Sequence, residues 1–172
     1  MTAIANTRTA PSHRWLRIGL TAVAALEFLD ALSGVQNIFT DYHHDTALLR
    51  FAQTLTSVRL ALAPVIAGTA LLYAAWGNIR RAILALAALV LTVWLLDDLP
   101  SIAIHGFELS AGFGGMLAFF QHFVFPASAI AGAALVLKNR RLPLAGLLVS
   151  IPTIVNWAGV VAFTVAVMIY GF

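Results

Sequence analysis

The chain contains no cysteine and little charge. None of its 172 residues is cysteine, and Asp, Glu, Lys and Arg together make up 10%. The absence of cysteine excludes disulfides, thiolate nucleophiles, iron-sulfur clusters and cysteine-ligated zinc. No nucleotide-binding loop, metalloprotease motif or serine-nucleophile elbow occurs in the sequence. The sequence therefore leaves enzyme activity undecided and inclines against it.

Apolar residues, in contrast, make up 61% of the chain, whereas soluble domains have about 45–50%. Five apolar segments, each long enough to cross a bilayer, use nearly the whole length. We therefore predict one all-α transmembrane domain over residues 1–172, with lipid as the solvent for most of the chain. The predicted spans cover residues 15–39, 48–76, 82–104, 111–137 and 142–170.

The segment before the first span is polar, and residues 1–12 are predicted to be a disordered tail. Arg8, Arg14 and Arg17 precede the apolar run, as in a secretory signal peptide. However, Glu27 and Asp30 interrupt that run, which is also longer than the core of a signal peptide. Cleavage is therefore the less favoured interpretation.

The connections between the spans differ in charge. Those after the second and fourth spans contain Arg80 with Arg81, and Lys138 with Arg140 and Arg141. Those after the first and third spans contain no Lys or Arg. Positively charged loops remain in the cytoplasm, so we predict a cytoplasmic N-terminus, a C-terminus on the opposite side, and a multi-pass protein of the bacterial inner membrane. The basic residues act as topology signals, and a nucleic-acid partner is not expected.

A duplicated helical hairpin is a further interpretation. Residues 29–33 of the first span are similar in sequence to residues 96–101 of the third. Residues 66–72 of the second span are likewise similar to residues 130–136 of the fourth. Transporters often arise from such repeats, which would give two related hairpins and an unpaired fifth helix. Alternatively, membrane helices rich in Ala, Leu and Gly resemble one another by chance.

Every predicted span carries a strongly polar residue near its middle. Charge at mid-membrane is costly, so such residues face the bundle interior or a watery cavity. At 1.5 Å rise per residue they can occupy a common layer. We predict an intramembrane polar cluster of Glu27, Asp30, Arg59, Asp97, Asp98, Gln121, His122 and Asn156.

Polar residues also continue from this layer toward the outer side. In the third span, Asp97, Ser101 and His105 recur every four residues, which places them on one helix face. The first span shows a similar stripe, while the cytoplasmic halves of the spans are mostly aliphatic. The pattern predicts an outward-facing polar cavity above a packed inner half. Because four carboxylates face one arginine and one histidine, the cluster is expected to hold protons or a bound cation.

The outer connections offer a second, weaker candidate site. Imidazole and carboxylate groups suit divalent transition metals, and the candidate ligands are His43, His44, Asp45, His105 and Glu108. A solvated polar loop is the alternative. Haem is less favoured than a metal, because His122 is the only histidine clearly placed at mid-membrane. No cofactor is otherwise evident.

The leading functional hypothesis is transport or permeation of protons, metal cations or a small cationic solute. Asp30 and Asp97 would be the coupling carboxylates, with Arg59 as their counter-ion and His122 as a proton or ligand group. Two alternatives are a membrane-embedded enzyme acting on a lipid-soluble substrate and a non-catalytic accessory subunit. Because five helices enclose little volume, we expect a homo-oligomer or partner membrane subunits in addition to the lipid bilayer.

Overall fold

A computed structural model describes residues 11–39, 46–107 and 113–171, and this part of the chain is helical without β-strands. Five helical segments are long and apolar enough to cross a membrane. They are Arg14–Ile38, Ala47–Ala75, Ile79–His105, Gly114–Leu137 and Leu142–Tyr170. The predicted number of spans is confirmed, and each boundary lies within three residues of its predicted position.

The helices follow one another with short connections. The first, α1 (Pro11–Gly34), begins within the predicted disordered tail, whose remaining residues lie outside the described part of the chain. The other elements are a 3₁₀ turn (Val35–Phe39), α2 (Ala47–Ala75), α3 (Ile79–Val93), α4 (Leu99–His105), α5 (Phe113–Phe119), α6 (Phe125–Leu137) and α7 (Leu142–Tyr170).

The third and fourth spans each contain a π-helical turn, a feature that the sequence analysis did not predict. These turns are Trp94–Asp98, between α3 and α4, and Phe120–Val124, between α5 and α6. Pro100 and Pro126 follow them two residues later, and proline removes the amide that would continue an α-helical hydrogen-bond ladder. Such π turns often occur at functional sites. Here they carry four members of the predicted polar cluster, namely Asp97, Asp98, Gln121 and His122.

Both basic connections, which follow the second and fourth spans, are sharp turns that cap the C-terminus of the preceding helix. After α2, the amide of Asn78 donates to the carbonyl of Tyr73 across Gly77, whose φ is +79°. Glycine suits this left-handed position because it has no Cβ. The guanidinium of Arg17 also donates to the Ala75 carbonyl, which stabilises the negative end of the helix dipole. This connection is thereby held against the start of the first span.

The half of the bundle nearest the basic connections is tightly packed. Leu20, Ile83, Leu86 and Val149 are its largest fully buried side chains, surrounded by buried alanines. Small residues let membrane helices approach closely, most clearly at Gly132. A Cβ added there would lie 2.7 Å from a methyl carbon of Val149 and 3.0 Å from the Ala145 carbonyl oxygen. This half of the bundle therefore has no open passage at the contact between the fourth and fifth spans.

The opposite half of the fifth span lies on the surface. Phe163 is 69% exposed, Met168 80% and Tyr170 76%. Because its beginning packs on the core and its end does not, α7 leaves a wide groove beside the first and fourth spans. The bundle is thus closed at its basic end and open along one side of the other half.

Candidate functional site

A central cavity of about 230 Å³ lies where all five spans meet. Seven of the eight predicted cluster residues line it: Glu27, Asp30, Arg59, Asp97, Asp98, Gln121 and Asn156. The remaining lining is formed mainly by apolar side chains of α3 and by Pro126 and Pro152. His122 does not line the cavity but lies behind Asp98. The structure therefore brings polar residues of five separate helices into one space.

Arg59 and Asp97 form the ion pair on one side of this cavity. The Nε atom of Arg59 lies 3.2 Å from Oδ2 of Asp97, without the alignment of a hydrogen bond. Charge attraction therefore holds this contact. The other oxygen, Oδ1, accepts a hydrogen bond of 2.8 Å from the hydroxyl of Thr56, one helical turn before Arg59. Asp97 is consequently held by two groups of α2.

Asp98 points to a different partner, His122. The two residues are brought together by the two π turns, with 3.8 Å between Nδ1 of His122 and Oδ1 of Asp98. This separation is too long for a hydrogen bond, and Nδ1 is buried without a hydrogen-bond partner among the described residues. Phe107 packs against the imidazole, with 5.8 Å between the ring centroids. A small movement would join the carboxylate and the imidazole directly.

The main chain of His122 is held by Trp94. The indole Nε1 of Trp94 donates a hydrogen bond of 2.9 Å to the His122 carbonyl oxygen. Pro126, four residues later, has no amide to offer this carbonyl. The indole replaces that missing donor and ties the two π turns together across the bundle.

Glu27 and Asp30 occupy the opposite side of the cavity. The hydroxyl of Thr153 in α7 donates a hydrogen bond of 2.6 Å to Oε1 of Glu27. Asp30 lies one turn further along α1, with its side chain exposed. Within the described ranges, no Arg, Lys or His forms an ion pair with either carboxylate. This side of the cavity therefore carries acidic groups without a positive partner from those ranges.

A second, larger cavity of about 690 Å³ continues from this acidic side. This lateral groove lies between α7 and the first and fourth spans. Four polar residues line both cavities: Glu27, Asp30, Gln121 and Asn156. The remaining lining consists of Leu117, Val155, Trp157, Gly159, Val160 and Phe163. The central cavity thus has a route to the side of the bundle that membrane lipid would cover.

The outer polar residues predicted to extend the cluster lie elsewhere. Ser101 and His105 are exposed and line neither cavity. Nδ1 of His105 lies 3.2 Å from the Ser101 carbonyl of its own helix. The other outer metal-ligand candidates, His43, His44, Asp45 and Glu108, lie outside the described residues. Among the residues that are described, no group of three or more His, Asp or Glu is arranged to hold a metal ion.

Sequence reasoning missed two of the residues that position the cluster, Trp94 and Thr153. Neither is charged, and each contacts the cluster across an interhelical distance that helical spacing does not reveal. Trp94 had one recognisable signal, because Pro126 leaves the His122 carbonyl in need of a donor. Thr153 follows Pro152 within a mostly apolar helix and had no comparable signal.

Comparison of the chain with protein-family models, curated proteins and solved structures gives no match. The geometry of the central cavity and the lateral groove is therefore the basis for assigning a function.

Proposed function

We propose that this protein transports a small organic cation, or lets it permeate, through the central cavity. The observation that carries the proposal is the convergence of four carboxylates and one arginine in a single cavity formed by all five spans. Ionisable groups at membrane depth are costly, and they are characteristic of ion and substrate pathways. The excess of carboxylates favours a cationic substrate or protons, and the lateral groove favours an organic cation over a metal ion.

The four carboxylates would have different roles. Asp97 is held by Arg59 and Thr56, which favours it as a fixed part of the scaffold and not as a coupling group. Glu27 and Asp30, which have no cationic partner within the described ranges, would bind the substrate cation. Asp98 would exchange a proton with His122, whose buried Nδ1 lies 3.8 Å away. Asp98 thereby replaces Asp97 in the role that the sequence analysis had given it.

The orientation follows from the charge of the connections. We infer a cytoplasmic N-terminus, with the tightly packed half of the bundle toward the cytoplasm and the open half toward the outside of a bacterial inner membrane. In this orientation the cavity is accessible from the outer leaflet and closed below by the contacts of Gly132 with Val149 and Ala145. Transport would require these helices to separate.

Two further features belong to the same proposal. Exposure of the end of α7 beyond the lateral groove, where Met168 is 80% and Tyr170 76% exposed, is consistent with a homo-oligomer or with partner subunits. A duplicated hairpin would place the first two spans on the third and fourth, with Asp30 near Asp97 after superposition. Only the third and fourth spans have π turns among the described residues, so superposition must be judged on the helical segments around them.

The test is uptake of radiolabelled methylammonium by proteoliposomes at equal pH on both sides, driven by an imposed inside-negative membrane potential. Asp30→Asn preserves side-chain shape but removes the charge. It should lower the initial rate by about tenfold or more, as expected from losing a charged contact of about 1.4 kcal/mol. Ser101→Ala, whose side chain is exposed and lines neither cavity, is the control and should retain the wild-type rate.

The result also separates transport from a packing role. If wild-type protein shows no uptake above empty liposomes, the transport proposal is wrong. If uptake occurs but Asp30→Asn keeps the full rate, Asp30 is not a substrate-binding carboxylate. A collapse of Arg59→Gln together with normal behaviour of Asp30→Asn and Asp98→Asn would favour an accessory subunit in which the polar residues only join helices.

A further inference from the structure

The lateral groove has two chemically different ends. At its inner end, the carboxylates of Glu27 and Asp30 lie beside the amides of Gln121 and Asn156. Its outer end is apolar, and Phe163 there is 69% exposed on the surface of the bundle. From Asn156 to Phe163 the helix rises about 10 Å. The groove is therefore amphiphilic, with negative charge at depth and an apolar channel reaching the surface.

We propose that the lateral groove binds a single-chain lipophilic amine that enters sideways from the membrane. Its ammonium group would lie between Glu27 and Asp30, and its alkyl chain would run along Val160 to Phe163. This inference rests on the proposed function, for which it names the substrate class. A volume of about 690 Å³ lies within the usual range of about 300–1,000 Å³ for small-molecule sites.

The negative charge of the lateral groove favours a lipophilic amine over other occupants. Arg59 is the basic residue of the central cavity, and it pairs with Asp97. Arg59 therefore does not neutralise the two carboxylates of the groove, which face the ligand. An ammonium group satisfies them, whereas a phosphate or fatty carboxylate would be repelled. Trp157 in the groove wall adds an aromatic ring that can bind a cation through its face. An apolar helix from a second copy would leave the carboxylates unpaired.

The test is photolabelling with a diazirine-bearing dodecylamine. Wild-type protein is placed in phosphatidylcholine nanodiscs, whose lipid carries no primary amine, and labelled peptides are mapped by mass spectrometry. Label should appear on residues 155–163 and be displaced by unlabelled dodecylamine but not by dodecanol. Asp30→Asn should reduce labelling about tenfold, the effect of losing a charge-assisted contact.

Gly159 supplies a matched steric variant. A Cβ at Gly159 meets no atom within 4 Å, and the same holds for Gly19 in the first span, which lines neither cavity. Gly159→Leu should therefore fill the groove without disturbing the helices and reduce labelling about tenfold. Gly19→Leu adds the same side chain elsewhere and should label like wild type.

Three results would overturn the lipophilic-amine site. The first is competition by dodecanol as strong as that by dodecylamine, which would reduce the groove to an ordinary lipid-facing surface. Gly159→Leu could label like wild type. Phe163→Cys, in a chain that otherwise has no cysteine, could form a disulfide-linked dimer in membranes, showing that a second copy covers the groove.

Photolabelling does not require transport, so the two proposals can fail separately. Amine-specific labelling without methylammonium uptake would support the groove site and overturn the transport function. Methylammonium uptake without amine-specific labelling would support transport and overturn the groove site.

Discussion

The indole of Trp94 donates a 2.9 Å hydrogen bond to the main-chain carbonyl of His122, joining the π turns of the third and fourth spans. The carbonyl needs this donor because Pro126 cannot supply an amide. The same turns place Asp98 opposite the His122 imidazole. A proline in one helix and a tryptophan in another thus determine where a candidate proton-exchange pair lies.

Replacing Trp94 with Phe should destabilise the protein by about 1–3 kcal/mol, because the His122 carbonyl loses its donor in a partly buried position. The measurement is unfolding by sodium dodecyl sulfate in mixed micelles. Trp15→Phe is the control, since Trp15 is 74% exposed. The cost should decrease in a Pro126→Ala background, where residue 126 regains an amide. Equal costs in both backgrounds would contradict the proposed role of Pro126.

Arg59 should be energetically coupled to Asp97 more strongly than to Asp98. A double-mutant cycle with Arg59→Gln and Asp97→Asn should give a coupling energy within about 0.5–3 kcal/mol. The lower part of that range is expected because the side chains are 22% and 38% exposed. The matched cycle uses Asp98→Asn, whose carboxylate faces His122. Equal coupling in the two cycles would contradict the assignment of Asp97 as the arginine's partner.

Alanine substitutions at three glycines should differ in stability. Gly132→Ala should cost about 1–3 kcal/mol, because its Cβ meets Val149 and the Ala145 carbonyl. Gly146→Ala should cost less, since its nearest contact is the flexible end of Leu16. Gly159→Ala meets nothing within 4 Å and should be stabilising by up to about 1 kcal/mol. Unfolding in mixed micelles checks this order, and equal effects at Gly132 and Gly159 would contradict the packing.

The orientation can be measured with single cysteines, since the chain has none of its own. In spheroplasts, a membrane-impermeant maleimide should label His105→Cys without permeabilisation, because this residue lies at the end predicted to face outward. Asn78→Cys, beside Arg80 and Arg81, should be labelled only after permeabilisation. The opposite pattern would reverse the inferred topology.

The sequence by itself determined the number and extent of the helices that are long and apolar enough to cross a membrane. Long apolar segments require internally hydrogen-bonded helices in lipid, so composition was sufficient to predict five spans, and the predicted bounds agree with the structure within three residues. Polarity near the middle of each span also selected residues such as Asp30, Arg59 and Asn156, which line the central cavity. Their identity followed from the cost of polar groups at membrane depth, which does not depend on knowing how the helices pack.

Only the tertiary structure decided which of these residues contact one another. Asp97 and Asp98 are neighbours in sequence, yet one faces Arg59 and the other His122. Successive side chains of a helix point in different directions, and the packing of the second and fourth spans against the third decides which partner each carboxylate meets. The lateral groove likewise depends on where α7 separates from the first and fourth spans. Helix periodicity gives the face of each helix, whereas partner choice depends on the rotation and separation of helices, which packing between distant residues sets.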